Sequence, residues 1–149
     1  MFNPSVADIL IDPLENDSDI VCTNLLSTIS HLEDLPDNSI VKAVLSNKNS
    51  ILFFSRESIP YQRVEGQCSF YRQTGISAFR KDFLIKFSHL EPTPLEITES
   101  VDFLRILEHG HEIKGVVVDQ QLFGVDEPEH VERIERFLRE DQSLTWPII

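Results

Sequence analysis

Glycine is scarce in this sequence, with five glycines among 149 residues. No two lie at the spacing of GxGxxG or GxxxxGK[ST], so the chain has neither a dinucleotide fingerprint nor a P-loop. GxSxG and HExxH are also missing, which removes the serine-hydrolase elbow and the zinc-protease helix. Any nucleotide-using enzyme to which these residues belong is therefore expected to be only partly present in them.

Basic residues are few. Thirteen Lys and Arg stand against 25 Asp and Glu, which gives a net charge of -12. A field of that sign repels phosphate backbones, and the basic residues are scattered, so we expect no nucleic-acid partner. Carboxylates are natural ligands of divalent cations. The alternative is that most of these acids solvate helix faces.

Cysteine and long apolar runs are also scarce. Cys22 and Cys68 have no Cys or His neighbours at zinc spacing, and Cys22 fits a small core residue. No apolar run approaches the roughly 20 residues of a membrane span, and no signal peptide is visible, so we expect a cytoplasmic protein without a membrane partner. His109 and His111 flank Gly110 at an expected helix end, which favours a solvated terminus over a metal site.

The remaining pattern alternates helices and strands. Asn3 and Pro4 open an amphipathic helix whose apolar face is Val6, Ile9, Leu10 and Leu14. Strands are expected at 20–29, 75–79 and 112–118, the last buried on both faces, and an antiparallel hairpin at 40–45 and 51–54. Residues 57–72 are expected to be irregular.

Helices are expected at 81–87, from Thr93 to Gly110, and after Gly124. Thr93, Pro94 and Glu96 form a capping-box pattern at the start of the second, which we expect to be the longest. The alternation predicts an α/β fold with a partly parallel sheet, folded as one unit over residues 1–142 with a short tail at 143–149.

Four segments, at 53–61, 73–80, 90–110 and 125–132, together resemble the 3-deoxy-manno-octulosonate (Kdo) cytidylyltransferase family, or CMP-Kdo synthetases. The family carries a "YFSRxxIP"-like strand end, a "GIYAYR"-like strand, a "LPxxxLExxExLEQLRxLExG"-like helix and a closing "VDTPEDLE". Here these read FFSRESIPY, QTGISAFR, LEPTPLEITESVDFLRILEHG and VDEPEHVE. In order and spacing they cover most of residues 40 to 140.

The resemblance implies the C-terminal portion of a Rossmann-like nucleotidyltransferase fold with an inserted β-hairpin, commonly dimeric through the hairpin region. The family couples CTP to the sugar acid, giving a CMP-sugar and pyrophosphate for lipopolysaccharide synthesis. Its reaction uses Mg²⁺, and one of its two metal-binding aspartates matches Asp126. Asp126 also fits a helix N-cap that forms a capping box with Glu129, and the two interpretations are compatible.

Arg56 matches the arginine of the family's sugar-acid pocket, where a guanidinium can bind a carboxylate bidentately. The alternative is a surface ion pair with Glu57 or another acid. Arg105 and Glu108 match the helix motif but favour a packing role. Gln73 and Asp102 occupy pocket positions where the family has histidine and glutamate, so the identity of the sugar is open.

The family's basic phosphate motif and its "QGDEP" segment, with the second metal-binding aspartate, have no counterpart in these 149 residues. The leading hypothesis is therefore a truncated or split cytidylyltransferase that is inactive alone, binds CTP only with a complementary N-terminal segment, and pairs through an exposed apolar sheet edge. A second is a non-catalytic module that dimerises or binds sugar acid. A third is an unrelated small α/β binding domain.

Overall fold

The computed structural model describes residues 5–119. Their order is α1 (Ser5–Asn16), β1 (Cys22–Thr28), a 3-10 turn (Leu32–Asp34), β2 (Lys42–Leu45), β3 (Ile51–Ser55), β4 (Tyr71–Phe79), α2 (Lys81–Phe87), α3 (Pro94–Glu99), α4 (Phe103–Glu108) and β5 (Ile113–Val118). Within this part of the chain no helix is long and apolar enough to span a membrane. The predicted last helix, Asp126 and the tail lie outside the described residues.

The five strands form one mixed sheet in the order β3-β2-β4-β1-β5. Strands β1 and β5 are parallel, while β4 runs antiparallel to both β1 and β2. The predicted hairpin is confirmed as β2 and β3, which are joined by a turn in which the Ser46 amide donates to the Ser50 carbonyl at 2.9 Å. The predicted partly parallel sheet is therefore present, with β1 and β5 as its parallel pair.

Helices cover both faces of the sheet. Helix α1 packs Val6 and Leu10 against Leu25 of β1 on one face. The other face carries the larger core, to which β1, the hairpin, α2, α4 and β5 contribute: Cys22, Leu26, Ala43, Ile51, Phe54, Phe83, Val101, Phe103, Leu104, Ile106 and Ile113. Cys22 is fully buried, as expected for a small core residue. Ile9 of the predicted apolar face is 37% exposed, so the buried face of α1 is narrower than expected.

Strand β4 begins at Tyr71, four residues before its expected start. The sequence pattern does not show this earlier start, because the register against β1 shifts within the strand. Leu26 lies opposite Gln73, whereas Asn24 lies opposite Ser77. The extra residues form a bulge around Gly75, whose φ of +80° favours glycine. A bulge interrupts the two-residue alternation on which strand prediction depends.

Two further expectations are wrong. The single long helix after Thr93 is divided into α3 and α4, with Ser100 between them at a φ of 52°. Strand β5 is not buried on both faces, because it is the last strand in the sheet order and Val117 is 36% exposed. The capping-box carboxylate at the start of α3 is in place, since Glu96 accepts the Thr93 amide at 3.2 Å.

Candidate functional site

Arg56 lies at the end of β3, where it faces the end of helix α3. The Arg56 amide donates to one carboxylate oxygen of Glu99 at 2.8 Å, and the Ser55 hydroxyl donates to the other at 2.7 Å. Ser55 is buried. One carboxylate therefore ties the "SRxxIP"-like segment to the helix motif, two segments that the sequence could only place in order.

The guanidinium of Arg56 is bound to backbone oxygens. Its Nε donates to the Glu99 carbonyl at 2.7 Å, Nη1 to Asn38 at 2.8 Å and Nη2 to Ser100 at 3.3 Å. Carbonyls at a helix C-terminus lack helical partners, and a basic side chain can satisfy them. Arg56 thus stabilises the end of α3 at Glu99 and Ser100, which accounts for the division of the expected long helix.

The contacts of Arg56 bear on both roles considered for it. Within residues 5–119 its guanidinium forms no ion pair with Glu57. It binds backbone carbonyls instead of a side-chain carboxylate. Three of its five N–H groups are used in this way, which leaves two donors on a half-exposed side chain. Those two donors suffice for a carboxylate ligand.

Lys42, which no sequence motif marked, binds the carbonyl of Arg56. Its Nζ donates to the Asp37 carbonyl at 2.8 Å, to the Ile40 carbonyl at 2.9 Å and to the Arg56 carbonyl. The residue is fully buried, and burial lowers the pKa of its ammonium despite the opposing charges of nearby acids such as Asp37. A lone lysine inside the apolar run at 40–45 is the signal that could have revealed it.

These contacts form a β3-end cluster, which consists of Lys42, Ser55, Arg56 and Glu99. Its position in the sheet follows from the strand register: Ser55 pairs with Lys42, Lys42 with Arg72, and Arg72 with Ser27 of β1. The Arg72 Nε also donates to the Ser27 hydroxyl at 3.0 Å. A polar row thus crosses four strands close to the C-terminal end of β1. In open α/β sheets ligands bind at the C-terminal ends of parallel strands.

Gln73 lies next to this row. Gln73 pairs with Leu26, and its backbone amide donates to the Val41 carbonyl at 2.8 Å, so it lies two strands from β3. At a strand spacing of about 4.8 Å, the backbones of β4 and β3 are roughly 10 Å apart. A sugar acid could span that distance. Within residues 5–119 no hydrogen bond joins the side chains of Gln73 and Arg56.

Asp102 occupies the N-cap position of α4 and is exposed. Asp102 lies two residues after Ser100, whose carbonyl accepts a hydrogen bond from Arg56. The segment that contains Asp102 therefore also contacts the β3-end cluster. Burial, with a smaller contribution from the charge of Asp102, raises the pKa of the Cys22 thiol. Raised in this way, the thiol is a poor nucleophile. Arg56, Gln73 and Asp102 remain predicted sugar-acid ligands.

The other motif residues have packing contacts. Arg105 pairs with Glu96 through two hydrogen bonds, with Nε at 2.7 Å, and lowers the pKa of that carboxyl. Glu108 accepts the Leu95 amide at 3.1 Å. Arg80 donates to the carbonyls of Ile20 and Asp17 near the end of α1. These contacts agree with the packing role expected for Arg105 and Glu108.

Residues 5–119 contain no group of three His, Cys, Asp or Glu side chains that could hold a metal ion. His111 instead contacts Lys86 at 3.0 Å and packs edge-on against Phe83, and burial lowers its pKa. The predicted magnesium ligand is not among these residues. Asp126 lies outside them and stays a prediction.

Comparison with known proteins extends these observations. A family model described as cytidylyltransferase matches residues 1–113. The chain is 33% identical over 132 residues to the 3-deoxy-manno-octulosonate cytidylyltransferase of Fusobacterium nucleatum, covering 89% of the chain and 54% of that protein. It is 37% identical over 144 residues to the enzyme of Chlorobium phaeobacteroides, covering 95% and 58%.

A plant relative and a solved structure agree. The mitochondrial 3-deoxy-manno-octulosonate cytidylyltransferase of Arabidopsis thaliana is 34% identical over 143 residues, covering 94% of this chain and 49% of that protein. The structure of CMP:2-keto-3-deoxy-manno-octonic acid synthetase complexed with CTP superposes with a TM-score of 0.85 at 28% identity, covering 95% of this chain and 58% of that one.

The chain thus spans about half the length of the relatives it matches. Its mixed sheet, with the β2–β3 hairpin, belongs to the α/β fold of nucleotidyltransferases. The match to the family model alone covers more than two thirds of the sequence. The protein is a member of the cytidylyltransferase family, related to the enzymes that make CMP-Kdo.

Proposed function

We propose that these residues form the sugar-acid side of a cytoplasmic CMP-Kdo synthetase for lipopolysaccharide synthesis. The chain requires a second segment, on the same or another polypeptide, for the nucleotide side. The superposition on a CTP-complexed synthetase over 95% of the chain carries this proposal. In the reaction, a sugar hydroxyl attacks the α-phosphorus of CTP, its proton leaves, and the bond to pyrophosphate breaks.

Arg56 is the residue to which we assign the substrate carboxylate. Two of its N–H donors, which have no partner within residues 5–119, lie on a guanidinium already fixed by three carbonyls and suit bidentate or paired binding of an anion. Gln73 and Asp102 would contact sugar hydroxyls. A fixed donor loses little freedom on binding, so the ordering already present in the chain favours affinity.

Two measurements test the proposal. Calorimetry should detect binding of Kdo but not of CTP. Arg56→Gln should abolish the binding of Kdo, and Arg63→Gln, at an exposed arginine, serves as the charge-matched control. The chain mixed with CTP, Mg²⁺ and Kdo should release no pyrophosphate. Turnover by these 149 residues alone would contradict the requirement for a second segment.

Complementation makes the same test positive. Adding an N-terminal fragment that carries the family's phosphate motif should restore pyrophosphate release. In that mixture Asp126→Asn separates the two interpretations of Asp126, because asparagine is as good an N-cap as aspartate but a weaker ligand for magnesium. Loss of turnover with an unchanged melting temperature supports the metal role, and unchanged turnover supports the cap alone.

The second candidate, a non-catalytic pairing module, is favoured by one edge of β4. Strand β4 pairs with β1 along its length but with β2 only at Tyr71 and Arg72. Within residues 5–119, the edge beyond Gln73 therefore has no strand partner, and its residues are half-exposed or exposed. Such an edge accepts a strand from another chain.

Sedimentation velocity distinguishes the candidates. A homodimer that persists when the N-terminal fragment is added, without gain of turnover, indicates the pairing module. A dimer or monomer that takes up the fragment and gains turnover indicates the split enzyme.

A further inference from the structure

Arg56 is held more completely than a packing role requires. Its amide is bound by the Glu99 carboxylate and its carbonyl by the Lys42 ammonium, while its guanidinium is bound by three backbone oxygens. Every backbone polar group of the residue is thereby fixed, and so is the plane of its guanidinium. Groups that must bind a ligand in one geometry are the ones that need such support.

Lys42 supplies the part of this support that is hardest to build. An ammonium buried among apolar strands is unfavourable unless all three N–H groups find acceptors. Here the acceptors are the carbonyls of Asp37, Ile40 and Arg56, so the ammonium joins the turn after the 3-10 helix to the end of β3. The same turn supplies the Asn38 carbonyl that binds the Arg56 guanidinium.

We infer that Lys42 is a positioning residue, which fixes the backbone of Arg56 and the turn at 37–40 so that the guanidinium keeps one orientation for its carboxylate ligand. This inference depends on the proposed function for the ligand, but the ordering of Arg56 itself does not. Lys42 does not touch the ligand, because its three donors are already used.

The test uses the full 149-residue chain. Lys42→Met keeps the side chain as far as Cε and removes the ammonium donors, and Lys81→Met, on the exposed start of α2, is the matched control. Calorimetry with Kdo should show binding weakened about three- to tenfold by Lys42→Met, as expected when an ordered side chain is released. In an Arg56→Lys background, which retains a weaker anion donor, Lys42→Met should add much less to the loss, because the two residues act as one unit.

A second measurement does not depend on the substrate. In nitrogen-15 NMR spectra the Arg56 Nε–H of the unaltered protein should exchange with solvent at least tenfold more slowly than that of exposed Arg63, and Lys42→Met should remove that protection. A rapidly exchanging Arg56 Nε–H in the unaltered protein overturns the inference even where Lys42→Met fails to fold.

The remaining outcomes are also decisive. Unchanged affinity and unchanged protection in a folded Lys42→Met protein overturn the inference, and so does an equal loss of affinity in both backgrounds. If the unaltered protein binds no Kdo, the proposed function fails, and the exchange measurement alone decides whether Lys42 positions Arg56.

Discussion

Glu99→Ala is the substitution that tests the β3-end cluster most directly. The carboxylate accepts two hydrogen bonds, from the Ser55 hydroxyl at 2.7 Å and the Arg56 amide at 2.8 Å. Hydrogen bonds to a charged group contribute about 1.5–3 kcal/mol each, but the site is half-exposed and water can replace part of them. We therefore expect the free energy of unfolding to fall by about 2–4 kcal/mol, a large part of the roughly 5–15 kcal/mol typical of a domain.

Urea denaturation followed by circular dichroism measures this loss. With a slope of about 2 kcal/mol per molar, the midpoint should move down by about 1–2 M. The midpoint of Glu99→Gln should lie between those of Glu99→Ala and the unaltered protein. Its side-chain amide keeps one acceptor oxygen but places an NH₂ group where the carboxylate accepted a second hydrogen bond. Glu65→Ala, at an exposed carboxylate, should stay within about 0.5 kcal/mol of the unaltered protein. A Glu99→Ala protein as stable as Glu65→Ala would refute the role given to this carboxylate.

Three further changes have defined outcomes. Phe54→Ala empties a fully buried site next to Phe103 and should cost about 3–5 kcal/mol in urea denaturation, whereas Tyr61→Ala, at a residue 89% exposed, should cost almost nothing; equal losses would contradict the assigned core. Gly75→Ala forces a side chain to a φ of +80° and should cost about 1 kcal/mol, so a neutral result would contradict the bulge. In the folded protein the pKa of His111 is lowered below 6.5, so the stability linked to its neutral form is complete above pH 6.5. That stability is lost as the pH falls through the lower pKa of the folded state. His111→Asn should flatten this part of the plot of unfolding free energy against pH, and an unchanged plot would show that another group titrates.

Local patterns were sufficient to predict most elements. Runs of β-branched and other apolar residues predicted β1, the hairpin and β5 to within about two residues, and the capping pattern at Thr93 predicted the start of α3. These elements depend on neighbours in sequence, which is why the sequence could predict them.

Long-range contacts account for what the sequence did not predict. The division between α3 and α4 depends on a guanidinium 43 residues away, and the composition of that segment is compatible with one helix. Lys42 reads as an ordinary strand lysine until three carbonyls converge on it. The resemblance to the family suggested that Arg56 and Asp102 belong to one site, but not that the Glu99 carboxylate binds Ser55 and Arg56.

The tip of the β2–β3 hairpin reaches across to β5, where the Gly115 amide donates to the Asn49 carbonyl at 2.8 Å and Lys114 donates to the Lys48 carbonyl. The Lys48 and Lys114 partners are 66 positions apart, so this contact closes a long loop within the described chain. Loop closure of that length is slow relative to forming a hairpin or a helix turn. On a ribosome, the hairpin would emerge well before its docking surface exists, and its tip would remain undocked until β5 had cleared the exit tunnel.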